Sequence, residues 1–484
     1  MYPIEHIIRI DKKSKMPIYR QIAISIINAI KNGYLKAGDQ LPGSRDLADS
    51  LNLHRKTVIA AYEELYTQDW ISMSPRKRAT ISESIPNLKA SKWEEFSSIH
   101  SYDIDFNLPF NQYHDVDHSV EENTVIPDII IDDGFPDIRL SPISALLKTY
   151  RSYVTRTYSI KNANLENPQG TLALREQLVN YLSETRGLIF SKENILITHG
   201  AQMSIYLSAQ LLLNKKAKIV VAKPNYPKAS QTFSNTGAKV LEIGINEKGL
   251  KTDELESLCK TTTITAVYVI SHHHYPTTVT LSVDRRVHLL ELSKQYHFAI
   301  IEDDYDFDYH YTTPPYLPLA SGGHNGNVIY IGSFSKILGP SIRIGFMVAP
   351  KNFIQQCVEL RKTIDVGNDA YMQNSLASLI KEGEFTRYFK KAKKFYQERL
   401  ELLDQLLKKE LNKYISYTLP TGGMAVWIKV DKQYPISAIQ NLSKLRIKHI
   451  SKEENAFRFG FASLNEREIL QAIHILKDHF IKHQ

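Results

Sequence analysis

Cysteine is scarce in this sequence. Its 484 residues hold two, Cys259 and Cys357, which offer no disulfide framework and suit a reducing cytoplasm. Long hydrophobic runs are missing too. No apolar stretch approaches membrane-spanning length, and Glu5, Arg9, Asp11 and Lys12 break up the N-terminus, so neither a spanning helix nor a signal peptide is expected. There is no tandem repeat and no low-complexity tract. The net charge of +8 is mild for this length and does not by itself call for nucleic acid. What is present is 43% hydrophobic content, enough for two or three domains with a sizeable core.

The charge is unevenly placed. Residues 1–82 carry 13 basic against 8 acidic residues, so most of the surplus lies in the first sixth of the chain. After Pro17, the residues Ile18, Ile22, Ile26, Ala29 and Ile30 repeat at helical spacing, and the pattern breaks near Gly33 and Gly38. Leu41-Pro42-Gly43 leads to Ser44, expected as an N-cap, and to a short helix burying Leu47, Ala48 and Leu51. A tight turn at Asn52-Leu53-His54 follows. Val58, Ala61, Tyr62 and Leu65 then mark the buried face of a further helix, leaving Arg55, Lys56 and Thr57 at its free start. This is the layout of a helix-turn-helix, whose second helix enters the major groove by its first residues. Arginine or lysine there reads guanine or holds phosphate, and threonine reaches phosphate or a thymine methyl. The competing reading is a small helical domain with solvated basic residues.

Residues 83–125 differ in character, with nine acidic residues against two basic and scattered aromatics from Trp93 to Tyr113. They read as a linker that packs on protein rather than DNA. From about Val125, short apolar runs alternate with helical stretches: Ile195-Leu196-Ile197, Lys218–Val221, Ala266–Ile270, Ala299–Ile301 and Asn327–Ile331. That alternation predicts an α/β fold with a mostly parallel sheet.

Two strand ends carry chemistry. Gly332-Ser333-Phe334-Ser335-Lys336 sets a lysine among small and apolar neighbours, where partial desolvation favours the neutral amine that Schiff-base chemistry needs. Ser333, Ser335 and Arg343 beside it are parts of a phosphate cradle. Upstream, Ile300-Ile301-Glu302-Asp303-Asp304-Tyr305 runs from an apolar strand into acids, with Asp303 and Tyr305 on one face. An aspartate there can pair with a protonated pyridine nitrogen, and a tyrosine can reach the ring oxygen; together they describe a pyridoxal phosphate site. A solvated loop and a surface acidic turn are the alternatives. Thr198-His199-Gly200-Ala201-Gln202 ends a strand and opens a helix, so its amides can hold a phosphate. Ser271-His272-His273-His274 invites a metal reading, but consecutive side chains diverge and no acidic or cysteine partner is evident, so no metal site is expected.

With these motifs in hand, the chain resembles the MocR-type regulators of the GntR superfamily: a winged helix-turn-helix followed by a fold-type I domain of the aspartate aminotransferase kind. The resemblance covers all but the linker and implies boundaries of 1–82, 83–125 and 126–484. It rests at the N-terminus on Leu41-Pro42, Ser44-Arg45, Leu47-Ala48, Arg55, Thr57-Val58 and Ala61-Tyr62, and implies DNA contact at Arg45, Arg55 and Thr57. With His54 and Lys56, and with Arg76, Lys77 and Arg78 in the expected wing, these form the candidate DNA-binding set. In the second domain the resemblance implies an internal aldimine between the cofactor and Lys336. Phosphate ligands would come from Gly200, Ala201, Gln202, Ser333, Ser335 and Arg343, with Asp303, Tyr305 and His273 around the ring and Tyr226 stacked on it. Arg458 matches the carboxylate clamp; an ordinary strand arginine in an ion pair is the alternative. Lys228 stands where some members carry an arginine for a second acidic group. Thr278 stands where relatives have glycine, and Leu165 where many have tyrosine. The expected protein is a homodimeric regulator, cytoplasmic, that binds operator DNA and senses an amine, an amino acid or pyridoxal phosphate itself. A working aminotransferase with an accessory DNA-binding head is the second expectation.

Overall fold

The computed structural model describes residues 4–75, 77–86, 105, 108–109, 127–155, 168–311, 316–365, 367 and 369–483. Arg76, Leu165 and most of the acidic segment 83–125 lie outside the described residues. The chain divides into two units, Met1–Gln112 and Tyr113–Gln484.

The first unit holds helices Ile4–Ile7 (α1), Ile18–Lys31 (α2), Ser44–Ser50 (α3) and Arg55–Thr67 (α4). Ile22, Ile26, Ala29 and Ile30 of α2 meet Val58, Ala61, Tyr62 and Leu65 of α4 in one core, all at most 4% exposed. Each fully buried Val, Leu or Ile there contributes about 1.5–3 kcal/mol. Ser44 is the first residue of α3 and not its cap. Gly43 takes the cap position without a side-chain bond, and the Ser44 hydroxyl instead accepts from Arg55 Nε at 3.3 Å. The turn into α4 is left-handed at Asn52 (φ 51°), a residue whose short polar side chain tolerates that region. His54 caps α4, its Nδ1 accepting from Lys56 N at 3.2 Å. Strands Ile71–Ser72 (β1) and Thr80–Ile81 (β2) pair antiparallel and form a wing without the glycines usual for one.

The second unit is organised by one sheet. In chain order its strands are Ile195–Thr198 (β4), Lys218–Lys223 (β5), Lys239–Asn246 (β6), Gly249–Leu250 (β7), Ala266–Val269 (β8), Ala299–Asp304 (β9), Val328–Ser333 (β10) and Gly345–Val348 (β11), after a separate strand, Ile129–Ile131 (β3). The order across the sheet is β4-β11-β10-β9-β8-β5-β6-β7. From β10 to β6 all neighbours are parallel, and β11 runs antiparallel to both of its own. Alternate side chains enter different cores: Ile219 and Val221 go to one face, Val220 to the other. That is why these runs are continuously apolar.

Past the sheet, Ile415–Tyr417 (β12), Ala425–Val430 (β13), Asn441–Leu442 (β14), Leu445–Ile447 (β15), Ile450–Ser451 (β16) and Ala456–Gly460 (β17) make two small sheets. The parallel pair β3–β15 and the bond from Gly460 N to Asp132 O (3.0 Å) carry the residues after β3 alongside β17. No described helix is long and apolar enough to cross a membrane.

Candidate cofactor and effector site

Several strand ends and helix starts of the second unit open into one cleft of about 560 Å³. Lys336 stands at its floor. β10 stops at Ser333, Phe334 is buried at 2% against Phe346 and Phe385, and the single-turn helix Ser335–Leu338 then aims Lys336 inward. Its Nζ donates to the Gly134 carbonyl at 2.5 Å and sits 5.1 Å from the Phe135 ring and 5.4 Å from the Tyr305 ring. Burial lowers the amine pKa; Asp133 works against that, Arg458 with it, and the net shift is downward. The neutral, nucleophilic form is therefore favoured relative to a solvated lysine.

Asp303 projects from β9 into the same cleft. It is 3% exposed, its Oδ2 accepts from Tyr268 OH at 2.7 Å, and its Oδ1 has no hydrogen-bond partner among the described residues. Burial pushes its pKa up to about 7, against the pull of the Tyr268 bond. A buried carboxylate oxygen without a donor fits a protonated ring nitrogen. The acids flanking Asp303 turn the other way. Glu302 accepts from Ser271 Oγ at 2.5 Å and Leu319 N at 2.9 Å, and Asp304 accepts from Tyr330 OH at 2.7 Å. The surface-turn alternative for these acids is excluded by their burial.

The phosphate cradle is a helix start with an arginine across it. Gly200 (φ 85°) precedes helix Ala201–Leu212 (α5), leaving the amides of its first turn free of intrahelical partners. Arg343 donates from Nη2 to the His199 carbonyl at 2.9 Å and from Nη1 to Ser335 Oγ at 3.4 Å; Ser333 Oγ donates to Ser335 Oγ at 3.1 Å. A Cβ on Gly200 would lie 2.6 Å from Arg343 Nη2, and one on Gly345 would lie 2.6 Å from Gly200 Cα. Two glycines thus keep the cradle open. Ala201, Gln202, Ser333, Ser335 and Arg343 all line the cleft. Gln202 also braces helix Pro227–Asn235 (α6) through Thr232 Oγ1 at 2.8 Å.

Tyr226 stands at the N-cap position just before α6 and lines the cleft, with Lys228 exposed nearby. Tyr305 lines it too, its hydroxyl donating to the His273 carbonyl at 2.9 Å. Besides Gly200, two expected residues do not line it. The His273 imidazole turns away, because its backbone is left-handed (φ 45°) and its Nδ1 is held 3.0 Å from Asp306 Oδ1. It borders a second cavity of about 1030 Å³, with His272 and His310. Burial pushes His310 down to about 2 and His274 to about 3, so both are neutral. Among the described residues no group of three His, Cys, Asp or Glu is arranged to hold a metal ion. Thr278 adopts φ 61°, the conformation a glycine would take without strain.

Arg458 is the other. It is 1% exposed and fully engaged: Nη1 donates to Pro276 O at 2.9 Å, Nη2 to Tyr305 OH at 3.1 Å and Nε to the Asp133 main-chain carbonyl at 3.4 Å, with Asp133 Oδ1 3.3 Å from Nε as an ion pair. Burial opposes its charge, but the surrounding Tyr305, Asp133, Tyr275 and Asp306 raise its pKa overall. Residues not singled out from the sequence complete the cleft: Asp133, Phe135, Tyr275, Arg446, Lys448 and His449. Asp132-Asp133-Gly134-Phe135 follows an isoleucine run, the same signal that marked Asp303.

In the first unit, Arg45, His54, Arg55, Lys56, Lys77 and Arg78 are exposed and Thr57 is half-buried at the start of α4. Arg78 lies 3.8 Å from Asp46, an exposed pair.

A half-buried lysine sharing a cleft with an unpartnered carboxylate and an anion cradle, on a mostly parallel sheet of this order, defines an aminotransferase-type domain. Residues 149–476 match the family "Aminotransferase class I and II" and residues 18–91 match "Bacterial regulatory proteins, gntR family". The chain is 29% identical over 423 residues to the HTH-type transcriptional regulator YdfD of Bacillus subtilis (strain 168), spanning 87% of this chain and 86% of that one. It is 23% identical over 497 residues to the probable rhizopine catabolism regulatory protein MocR of Rhizobium meliloti, spanning 98% and 95%. The multiple substrate aminotransferase from Thermococcus profundus superposes with a TM-score of 0.68 at 25% identity, covering 74% of this chain and 92% of that one. The chain belongs to the aminotransferase class I and II family and carries a gntR-family head, the same two-part make-up as the HTH-type regulators to which it is similar.

Proposed function

We propose that this regulator holds pyridoxal phosphate on Lys336 and answers an amine effector by changing how its head binds DNA. The observation that carries the reading is the unpartnered, buried Asp303 oxygen in the same cleft as Lys336 and the Arg343 cradle. Pyridoxal phosphate supplies an aldehyde that condenses with primary amines and a ring that withdraws electrons. Around it, Lys336 anchors, Asp303 pairs with the ring nitrogen, and α5, Ser333, Ser335 and Arg343 hold the phosphate. Tyr226, which lines the cleft, would lie against the ring.

On the DNA side, Arg45, His54, Arg55, Lys56 and Thr57 meet the major groove, and Lys77 and Arg78, with Arg76, the flanking backbone. We take 1–82 as the DNA-binding domain, 83–125 as linker and 126–484 as effector domain. A homodimer supplies two heads for a symmetric operator, and the buried thiols Cys259 and Cys357 suit the cytoplasm. The effector shifts the equilibrium between DNA-binding states by its differential affinity for them.

The test is the visible spectrum of the purified chain given pyridoxal phosphate. A yellow absorption band that Lys336→Ala lacks, and that amines perturb together with operator binding, is expected. A band that survives Lys336→Ala, or operator binding indifferent to every amine and to the cofactor, refutes the reading. Steady turnover of an amino donor and a keto acceptor would instead mark a working aminotransferase.

A further inference from the structure

The position expected to clamp a ligand carboxylate is already taken by the chain's own. Arg458 does not line the cleft, and each of its nitrogens has an internal partner, Pro276 O, Tyr305 OH or Asp133. Asp133 does line the cleft, with its side chain 29% exposed. It therefore touches the guanidinium and borders the cleft that holds Lys336.

We infer that Asp133 acts as an internal carboxylate ligand of Arg458 and sets the specificity of the cleft against amines that carry a carboxylate next to the amino group. This inference rests on the reading that Lys336 holds an aldehyde cofactor. The sequence separates the roles of two neighbouring acids. Asp132 builds the turn, its Oδ1 accepting from Gly134 N at 2.9 Å and Phe135 N at 3.0 Å while its carbonyl holds Gly460. Asp133 makes no such bond to the turn and is left to face the site. The carbonyl that holds Lys336 belongs to the next residue, Gly134, so Asp133 is fixed close to the amine end of any ligand. A second carboxylate seeking Arg458 would meet a like charge in a poorly solvated cleft, which is costly. A neutral substituent in that place meets no such penalty.

Two carbonyl reagents isolate this effect whatever the natural effector is. Aminooxyacetate carries a carboxylate beside its nucleophile, and methoxyamine does not. Both discharge a lysine-bound pyridoxal phosphate band, and each rate is divided by its rate with free cofactor. In the full-length wild-type chain, methoxyamine should lead by about tenfold, as like-charge exclusion of this size implies. Asp133→Ala should raise the aminooxyacetate rate relative to the methoxyamine rate about tenfold, while Asp133→Glu keeps the wild-type order. Aminooxyacetate matching methoxyamine in the wild type, or both reagents accelerated alike by Asp133→Ala, overturns the inference while the cofactor reading stands. A folded wild-type chain that shows no band before either reagent is added refutes the cofactor reading and this inference with it.

Discussion

Replacing Asp303 by asparagine in the cofactor-free chain should make it more stable at neutral pH and flatten its pH dependence. Unfolded, the carboxyl titrates near 3.8; buried beneath the cleft, it titrates near 7. Below about pH 4 it is protonated in both states and contributes no penalty. As pH rises through the folded value, the native state must ionise a carboxylate with one oxygen unpartnered. The wild type therefore loses stability relative to Asp303→Asn across the window from about 4 to about 7. The displacement corresponds to on the order of 4 kcal/mol, since each pKa unit is worth about 1.4 kcal/mol. Asparagine keeps an acceptor for the Tyr268 hydroxyl, so the substitution removes the charge and little else. Denaturant unfolding of both proteins at pH 5 and pH 8, each without cofactor, reads the difference directly, because other groups titrate alike in the pair. Equal pH dependence in the two proteins, or a less stable variant at pH 8, would refute the argument. Once cofactor is added the order should reverse, with Asp303→Asn retaining pyridoxal phosphate more weakly.

Gly345→Ala would set a Cβ 2.6 Å from Gly200 Cα and 3.0 Å from Gly332 O; because both are backbone, a loss of about 1–3 kcal/mol in thermal unfolding is expected, together with weaker cofactor retention, and an unchanged protein would mean the strand approach is looser than described. Arg55→Ala should lower affinity for operator DNA selected from a random pool by about 1–3 kcal/mol, with a shallower salt dependence if the contact is to phosphate. A variant that binds as the wild type does would remove α4's first residue from the interface.

Local patterns exposed one wall of the cleft and hid the other. Asp303, Tyr305, Lys336, Gly200 and Arg343 were legible because each sits where an apolar run ends and polar residues begin, and period-two alternation assigns their faces. Asp133 carried the same signature, but β3 meets the site through its pairing with β15 and the Gly460–Asp132 bond to β17, both far along the chain, and Arg446 and Lys448 arrive by the first of these routes. Such pairings leave no local trace. The orientation of His273 depends on a left-handed backbone that a histidine does not advertise, and Arg458 reads as an exposed clamp until its three internal partners are seen. In the head, helix spacing located α2 and α4, whereas Gly43 in place of Ser44 at the cap shows that helix ends are less legible than helix faces.

The acceptor that holds Lys336 is a peptide carbonyl. Had a carboxylate stood there at 2.5 Å, its charge would have trapped the amine as an ammonium ion, and the proton would have had to be removed before any carbonyl could be attacked. The Gly134 oxygen carries no formal charge at any pH. It can orient the nitrogen while leaving the choice between ammonium and free amine to the burial and the neighbouring charges. The nucleophile is thus aimed by one element of the cleft and tuned by others, so its direction stays fixed while its basicity can change.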